Sequence, residues 1–455
     1  MKQRLIFIDV IRAYAICMML QGHFITALLA EQYCDESNPY YHIWHYFTGI
    51  TAPVFLTISG FIFTYLLIRE GERSGVGLKN PRVKKGAKRG LMLIAVACIL
   101  RKSIYFVDIL HCIGLALIIM VGLYLLARNH VRHFLPTMLI SITLLLFTFN
   151  ETYNQYEYSW LPQVVANYFT PKYGTFFTIF PWLGFVTLGG FMGSLFYYYR
   201  NTKHLYTVYT LLLIGIGAIF HFQYHTFHFL YSITGWGHFE SLARNGFLFL
   251  RMGDTLWTFA VFVILRNVLT AQFLQRIGQN TLSIYIIHSI ALYHFIPYFN
   301  LDHYFHKSFN PTQAVIGAIL FVITVLIVSF YYHKFSKYIK EKFENEDVKI
   351  EILQSNSEGK IIDFLQSAYF NEVDGIVINP GAYTHYSYAI LDAIKSISIP
   401  TVEVHLSNIQ EREEFRKTSV TAAACIAQIY GKGKDGYVEA IKLLLEEESC
   451  QKDEK

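Results

Sequence analysis

Long apolar runs separated by short polar segments make up most of the chain, as far as residue 333. A straight transmembrane helix needs about 20 apolar residues. The pattern predicts ten helical spans, several of them shorter than this, at 5–28, 46–68, 89–104, 107–127, 134–149, 175–199, 205–223, 247–266, 278–297 and 312–333. We therefore expect a polytopic α-helical membrane domain.

The positive charges between these spans are distributed unevenly. With a cytoplasmic N-terminus, the predicted inner segments hold twenty Lys and Arg residues and the outer segments hold five. Positively charged loops are retained in the cytoplasm, so this asymmetry predicts that both the N-terminus and the segment after the tenth span are cytoplasmic. Arg101 and Lys102 are a local exception, because they stand together on the predicted outer side.

The composition agrees with a membrane protein. Hydrophobic residues make up 53% and charged residues only 16% of the chain, whereas soluble domains carry about 25% charged residues. The net charge of +5 is explained by the inner loops, so we predict no nucleic-acid partner. The six cysteines have no metal-ligand or redox spacing, so we predict no metal site.

The pattern changes near residue 346. Predicted strands alternate with predicted helices at 349–353, 358–370, 375–378, 385–397, 400–405, 409–417, 425–430 and 435–448. Such alternation is typical of a parallel sheet with helices on its faces. We expect a membrane domain over 1–333, a charged helical linker over 334–348, and a cytoplasmic α/β domain over 349–455.

Eight of the ionisable residues within or at the ends of predicted spans are candidates for a buried site, because a charge is costly there. They are Asp9, Arg12, His23, Asp108, His111, Arg251, Asp254 and His288. Arg12 and His23 are eleven positions apart and so fall within about 20° of one helix face. Asp9 and Arg12 are close enough to pair along that helix. The predicted topology puts all except Asp9, Arg12 and His288 in the outer half, with His288 near the middle.

Two interpretations of these residues remain open. In the first, each makes a structural hydrogen bond at a helix end or between helices. In the second, they line a polar cavity in which His23 is a base or an acyl carrier. A neutral imidazole can accept a proton from a nucleophile near neutral pH, and Gly22 beside it permits close approach.

Motifs in the membrane part carry a family resemblance. Arg12-x10-His23 resembles the first-helix signature of acyltransferase-3 membrane proteins, and the wider pattern over 1–333 resembles the bacterial heparan-α-glucosaminide N-acetyltransferase-like family. The motifs of the second resemblance include 7–12, 50–56, 88–91, 107–114, 180–184 and 278–285. The resemblance implies a bacterial inner-membrane enzyme. It would pass an acyl group from cytoplasmic acetyl-CoA or another acyl-CoA, through a histidine, to an acceptor on the far side, usually a sugar.

Three further motifs, at 354–359, 379–385 and 403–416, resemble type II 3-dehydroquinate dehydratase. This resemblance implies a flavodoxin-like fold, large assemblies and a cofactor-free conversion of 3-dehydroquinate to 3-dehydroshikimate and water in the shikimate pathway. Dehydration through an enolate needs a base, enolate stabilisation and an acid for the leaving hydroxyl. The resemblance implies that His405 is the proton donor and that Glu403 orients it. It implies substrate contacts from Asn379, His385, Asp392, Leu406, Ser407 and Arg416.

The tail departs from that family at its beginning. The family's first strand, and the mobile lid that carries an arginine and the tyrosine base, have no counterpart before Lys349. The absent strand would lie between those at 349–353 and 375–378, so the sheet is expected to be incomplete, with open backbone edges. Three explanations remain open: a degenerate relic, completion by another chain, or a reading frame that joins two neighbouring genes.

The sequence leaves three hypotheses of function. The first is a membrane acyltransferase fused to an incomplete dehydratase domain. The second is a membrane-tethered 3-dehydroquinate dehydratase. The third is a polytopic transporter or sensor with a cytoplasmic binding module, since buried ionisable residues also occur in transporters. Transporters often have two repeated halves and pairs of helices broken by Gly or Pro. The sequence shows neither feature, which counts against the third hypothesis.

Overall fold

Each of the ten apolar runs contains a helix. The structure, a computed structural model, describes residues 5–128, 130–294, 300–343, 346, 348–355 and 357–453. Lys2, Arg4 and Asn356, the end of the ninth predicted span at 295–297, and linker positions 344, 345 and 347 lie outside these residues. The chain divides into two compact units, 1–329 and 330–455.

The first unit is helical. Its helices are α1 Ile6–Leu28, α2 Pro39–Ser74, α3 Pro81–Arg101, α4 Ile109–Leu126, α5 Phe134–Thr148, α6 Asn150–Asn154, α7 Gln163–Ala166, α8 Ile179–Tyr198, α9 Leu205–His221, α10 Gln223–Thr234, α11 Gly237–Asn245, α12 Phe247–Ile264, α13 Gln272–Gln279, α14 Thr281–Ser289, α15 Leu301–Phe305 and α16 Pro311–Lys342. A π-helical turn, Ile290–His294, continues α14.

Six of the described helices are long and apolar enough to cross a bilayer, or seven if α9 and α10, which are bent by 72°, form one span. Two more apolar helices, α5 and Thr281–Tyr293, are shorter than a straight span requires. The N-terminal half of α3 is strongly basic. The helical architecture is therefore confirmed, while the count of ten spans and the cytoplasmic location of both ends stay predictions.

In this unit, helix backbones approach each other closely at glycine residues. A Cβ at Gly60 of α2 would lie 1.9 Å from the Val186 carbonyl oxygen of α8, and one at Gly189 would lie 1.8 Å from the Thr57 oxygen. Between helices in a membrane, small residues allow the backbones to approach and gain van der Waals contact. On the other side of the unit, α1 packs against α13 and α14, and Gly278 permits the approach to the Asp9 backbone.

The second unit contains a three-stranded parallel sheet in the order β1-β2-β3, with β1 Ile376–Ile378, β2 Thr401–His405 and β3 Ala427–Tyr430. Ile378 pairs with Glu403, and His405 pairs with Tyr430. Its other helices are α17 Glu358–Phe370, α18 Tyr388–Ile397, α19 Glu414–Lys417 and α20 Asp435–Asp453. Ile390, Ile394 and Ile397 of α18 lie in the apolar core with Leu365 of α17.

The strand predicted at 349–353 does not form. Residues 348–355 have no regular structure, and Leu353 is 53% exposed. A strand needs a neighbour for its backbone groups, and the expected neighbour is the one missing from this chain. For the same reason β1, predicted as a buried strand, is an edge strand that is only partly buried.

Two other predictions need adjustment. The helix expected over 409–417 is broken into a 3₁₀ turn, Ile409–Glu411, and the short α19, because Arg412 is extended between them. The predicted linker is helical as far as Lys342, as the end of α16. Ile339 and Phe343 of this segment are buried.

Candidate functional sites

His23 and His288 are in direct contact. Nδ1 of His23 lies 3.0 Å from Nε2 of His288. His23 stands near the C-terminal end of α1, and α14 brings His288 to the same level by packing against α1. His288 is 1% exposed and His23 is half-buried. The rings are tilted by 31°, with centroids 5.3 Å apart, and a single hydrogen bond must share one proton between the two facing nitrogens.

Two tyrosines surround the histidine pair. The Tyr293 hydroxyl donates to the backbone oxygen of His23 over 3.4 Å, and its ring lies edge-on, 6.3 Å from the His23 ring. Tyr285, one turn before His288, packs its ring edge-on against the His288 imidazole at 4.9 Å. The ring packing limits the orientations that both imidazoles can adopt. Neither tyrosine stood out in the sequence, since aromatic residues are common in every span.

Arg12 lies at the opposite end of α1 from His23. Its Nη2 donates to the Thr281 hydroxyl of α14 over 3.0 Å, and Asp9 is 6% exposed. Arg12 therefore joins α1 to the beginning of the helix that carries His288. The Asp9–Arg12 ion pair stays a prediction.

Asp108 and His111 form the N-terminal cap of α4. The Asp108 carboxylate accepts from the Leu110 and His111 amides over 3.0 and 3.3 Å, and the His111 ring faces back to the Asp108 amide over 3.2 Å. Such a capping box satisfies amide groups that helix geometry leaves unpaired. The other carboxylate oxygen accepts from Nε of Arg101 over 3.2 Å. His111 is thus engaged in the cap, and its Nε2 lies 3.3 Å from the Cys98 sulfur.

Arg251 and Asp254 form a second buried cluster. They pair over 3.1 Å on α12, and the other oxygen of Asp254 lies 2.8 Å from both the Tyr46 hydroxyl and Nδ1 of His221. Gly49 leaves room for the guanidinium, since a Cβ there would lie 2.7 Å from Nη2 of Arg251. The cluster joins α2, α9 and α12. His221 and Tyr46 were missed in the sequence, although a histidine inside the seventh predicted span was a signal.

The eight ionisable residues therefore do not form one cluster. His23 and His288 make the first site, with the Arg101–Asp108 pair in electrostatic range of His23. Arg251 and Asp254 belong to the second. His288, predicted near the middle of the membrane, contacts His23, predicted in the outer half, and both depths stay predictions.

In the C-terminal unit, Glu403 and His405 point to the same side of β2, since side chains two residues apart share a face. Nε2 of His405 lies 2.7 Å from Oε1 of Glu403. Glu403 is 0% exposed and also accepts from the Ser419 hydroxyl and the Gln428 amide, each over 2.7 Å, and from the Thr421 hydroxyl. Burial alone would raise the pKa of Glu403, but the hydrogen bonds from His405, Thr421, Ser419 and Gln428 outweigh burial and hold this pKa below its usual value.

An anionic Glu403 favours one tautomer of His405. Because Nε2 faces the carboxylate, that nitrogen carries a proton, and Nδ1 is the nitrogen left to exchange a proton with a ligand. His405 is the last residue of β2 and is 6% exposed. Leu406 and Ser407 follow it, and Asn379 follows the neighbouring β1. The carboxyl ends of adjacent parallel strands thus bring these residues to one edge of the sheet, the usual ligand side.

The remaining predicted substrate contacts are engaged within the unit or exposed. Asn379 donates to the Tyr437 hydroxyl over 2.9 Å, and Nδ1 of His385 lies 2.9 Å from the Thr418 oxygen. Nε of Arg416 lies 3.2 Å from a carboxylate oxygen of Glu413. Asp392 is exposed on α18 while the neighbouring Ala393 and Ile394 face the core. An open cleft of about 560 Å³ is lined by Arg416 with Glu411, Arg412 and Glu413, so it does not include His405.

Comparison with known proteins separates the two units. Residues 4–227 match the family model described as heparan-alpha-glucosaminide N-acetyltransferase, catalytic. Residues 329–445 match the model of dehydroquinase class II. The first match includes His23, Arg101, Asp108 and His221, while His288, Arg251 and Asp254 lie beyond its end. The N-terminal unit is therefore similar to an acetyltransferase-family catalytic domain.

The second match is supported by close relatives. The 3-dehydroquinate dehydratase of Clostridium beijerinckii is 65% identical over 108 residues, which are 24% of this chain and 74% of the relative. Through its C-terminal unit the chain belongs to the type II dehydroquinase family. The dehydratase of Clostridium acetobutylicum is 63% identical over 113 residues, covering 25% of this chain and 78% of the relative. The solved type II dehydroquinase of Butyrivibrio crossotus is 55% identical and covers 25% of this chain and 79% of that one, with a TM-score of 0.25.

The chain thus joins a unit that resembles the acetyltransferase family to a type II dehydroquinase domain. The dehydroquinase domain spans about three quarters of the length of its curated relatives. The dehydroquinase match begins at residue 329, so it includes the end of α16 that was predicted as a linker. The type II dehydroquinase family is a family of hydro-lyases. In the part of the chain that the structure describes, no group of three His, Cys, Asp or Glu side chains could hold a metal ion.

Proposed function

We propose that the N-terminal unit is an integral-membrane acyltransferase that moves an acetyl or other acyl group from cytoplasmic acyl-CoA to an acceptor on the far side, a sugar by family resemblance. The contact between His23 and His288 carries this proposal, because it joins a candidate acyl carrier to a proton acceptor. The acetyltransferase-family match supports it. We place the protein in a bacterial inner membrane, with ten spans and both the N-terminus and the dehydroquinase domain in the cytoplasm.

The hydrogen bond between the histidines supports complementary roles for the two rings in this proposal. With the shared proton on Nδ1 of His23, its Nε2 carries the lone pair and attacks the thioester carbonyl. The carbon–sulfur bond breaks and CoA leaves as a thiolate. Acylation makes the Nδ1 proton acidic, and this proton passes to Nε2 of His288, which gives a neutral acyl-imidazole and a His288 imidazolium.

The second half reverses this proton transfer. The acceptor hydroxyl or amine attacks the acyl carbon while His288 returns its proton to Nδ1 of His23, so that the imidazole leaves as a neutral group. The carbon–nitrogen bond to Nε2 breaks and the acyl product is released. The proton lost by the acceptor ends on the CoA thiolate through solvent, which balances the reaction. Asp9, Arg12, Asp108, His111, Arg251 and Asp254 would support the helices that hold this pair.

Labelling tests this proposal. Purified protein in detergent is mixed with acetyl-CoA labelled in the acetyl group, and protein-bound label and free CoA thiol are followed. We expect label that hydroxylamine removes, and a loss of both signals in His23→Ala. His225→Ala, which changes an exposed histidine on α10, should behave as wild type. Equal labelling of wild type and His23→Ala would reject His23 as the acyl carrier.

A second function is favoured by the Glu403–His405 contact, which is complete in the C-terminal unit. This domain would remove water from 3-dehydroquinate to give 3-dehydroshikimate, without a cofactor. His405 would protonate the leaving hydroxyl and Glu403 would orient it. The substrate would be held by Asn379, His385, Leu406, Ser407 and Arg416, with Asp392 as a further contact. Assembly into oligomers through this domain is part of the proposal.

The absence of the base that removes the proton from carbon limits this second function. The lid tyrosine and arginine that the family resemblance requires have no counterpart in the chain before Lys349. We expect purified full-length protein to bind 3-dehydroquinate and to form the conjugated product slowly or not at all. The product is followed by enone absorbance and binding by calorimetry. A rate equal to that of a complete relative would contradict the assignment of the base to the absent lid, and loss of binding in Arg416→Ala would support the pocket.

A further inference from the structure

Arg101 is the positive charge that the loop pattern does not explain. It ends α3 on the predicted outer side, where cations are few. Its Nε donates to Asp108 over 3.2 Å, and its guanidinium carbon lies 4.8 Å from the centre of the Phe106 ring. The Arg101 side chain is 32% exposed, whereas that of Asp108 is 4% exposed. One edge and one face of the guanidinium are therefore held, and part of the group stays accessible.

Asp108 is a rigid anchor for this arginine. One of its oxygens caps α4 by accepting from the Leu110 and His111 amides, and only the other faces Arg101. Among the residues that the structure describes, neither Nη nitrogen of Arg101 has a hydrogen-bond partner. The end of the guanidinium is thus a preorganised pair of donors, a geometry that suits two oxygens or one anionic oxygen.

These donors belong to the same region as the histidine pair. Helix α3 packs against Ile290–His294, the turn that follows His288. Tyr293 in this turn donates to the His23 backbone. Arg101 also lies within electrostatic range of both His23 and His288. Arg12, by contrast, is eleven residues before His23, a distance of roughly 16 Å along the helix.

Acyl transfer to and from an imidazole passes through tetrahedral intermediates in which the carbonyl oxygen becomes an anion. Fixed positive charge or fixed donors at that oxygen lower the barrier, most strongly where water is excluded. The histidine pair supplies the nucleophile and the proton acceptor but no group for this oxygen. We propose that Arg101, held by Asp108 and Phe106, stabilises the oxyanion that forms on the acyl group at His23. This inference rests on the proposed acyltransferase function.

The test uses acyl-enzyme formation, which needs no knowledge of the acceptor. The full-length protein in detergent is given labelled acetyl-CoA at several concentrations. We compare Arg101→Gln with Arg101→Lys, which keeps the charge but loses the planar fork. We expect Arg101→Gln to lower the maximum labelling rate about 100- to 1,000-fold, with an unchanged half-saturating acetyl-CoA concentration, and Arg101→Lys to restore part of the rate. An interaction made only in the transition state has this signature.

Two controls keep the test decisive. Lys102→Gln removes the neighbouring exposed cation and should label like wild type. Thermal unfolding in detergent is measured for each variant. A wild-type rate in Arg101→Gln overturns the inference, and so does an equal loss in the Gln and Lys variants that follows a lowered melting temperature. If wild type itself is not labelled, the acyltransferase proposal fails first, and the role of Arg101 fails with it.

Discussion

Nδ1 of His23 and Nε2 of His288 lie 3.0 Å apart although 265 residues separate them in the sequence. The contact occurs because α1 packs against α14 and because Arg12 joins the opposite end of α1 to Thr281 at the beginning of α14. It turns two isolated imidazoles, each costly inside a membrane, into a pair that shares one proton.

The first prediction concerns His288. If it accepts the Nδ1 proton of His23, His288→Ala should lower the maximum rate of acyl-enzyme formation by about 100- to 10,000-fold, the usual contribution of general acid–base catalysis. The rate should fall without complete loss, since His23 remains the nucleophile. Release of CoA thiol measures it, with His225→Ala as the control for an exposed histidine. An unchanged rate in His288→Ala would leave the contact with a structural role only.

The second prediction concerns the buried Arg251–Asp254 cluster. Asp254→Asn removes the negative charge and leaves the Arg251 guanidinium, whose side chain is 9% exposed, without its counter-charge. Breaking a buried ion pair in this way costs about 3–5 kcal/mol. The free energy of unfolding in mixed detergent micelles measures the loss.

Glu240 offers a matched control for Asp254. It pairs with Arg244 within one helical turn of α11, and the Arg244 side chain is 70% exposed. An exposed pair contributes at most about 1 kcal/mol, so Glu240→Gln should leave the free energy of unfolding within that range. Similar losses in the two variants would show that the cluster is not a main stabilising contact between α2, α9 and α12.

The third prediction concerns the open edge of the dehydroquinase sheet. Among the residues that the structure describes, β1 pairs with β2 alone, and residues 348–355, which precede α17, form no strand. A peptide with the part of the Clostridium beijerinckii dehydratase that this chain does not match, about a quarter of its length, is expected to supply the missing strand and lid. We expect it to protect the amides of Ile376–Ile378 from hydrogen exchange and to raise the rate of enone formation. A scrambled peptide should do neither. Absence of any protection at saturating peptide would contradict completion of the sheet in trans.

The fourth prediction concerns pH. The pKa of Glu403 is lower in the folded protein than in the unfolded chain, because the donors around it outweigh burial. Its contribution to stability is therefore complete above the unfolded value of about 4.3 and is lost as the pH falls through the folded value. Hydrogen exchange of the β2 amides, with Glu403→Gln compared at each pH, measures this. The difference between the two proteins should be largest near pH 7 and should vanish in acid; a difference that grows in acid would reverse the sign.

In the membrane unit, the positions of the helices could be predicted from the sequence alone. The length of an apolar run, near 20 residues, is determined by bilayer thickness. Each of the ten predicted runs contains a helix. The candidate residues His23 and His288 could also be found, because ionisable groups are rare in such runs. Their pairing could not, since periodicity gives the face of one helix but not the helix that it meets. The same limit hid His221 and Tyr46 as partners of Asp254.

In the C-terminal unit, three of the four predicted strands formed and one did not. Ile376–Ile378, Thr401–His405 and Ala427–Tyr430 find neighbours in the sheet, whereas 349–353 has the alternation of a strand but no partner. A strand forms only when its backbone groups bond to a neighbouring strand, and the local pattern of one segment does not show whether that neighbour is present. The Glu403–His405 contact was predictable because two residues on one face of a strand are already close.

The sequence by itself determined that a helix forms in each apolar run and where three of the four predicted strands form, and it determined the chemistry of the separate motifs, since hydrophobic period and residue type act locally. Only the tertiary structure decided that His288 meets His23, and that Arg101, an exception in the charge pattern, is held by Asp108 near this pair. Both depend on how helices distant in sequence pack together, because the burial of whole helix faces selects the partner of each side chain.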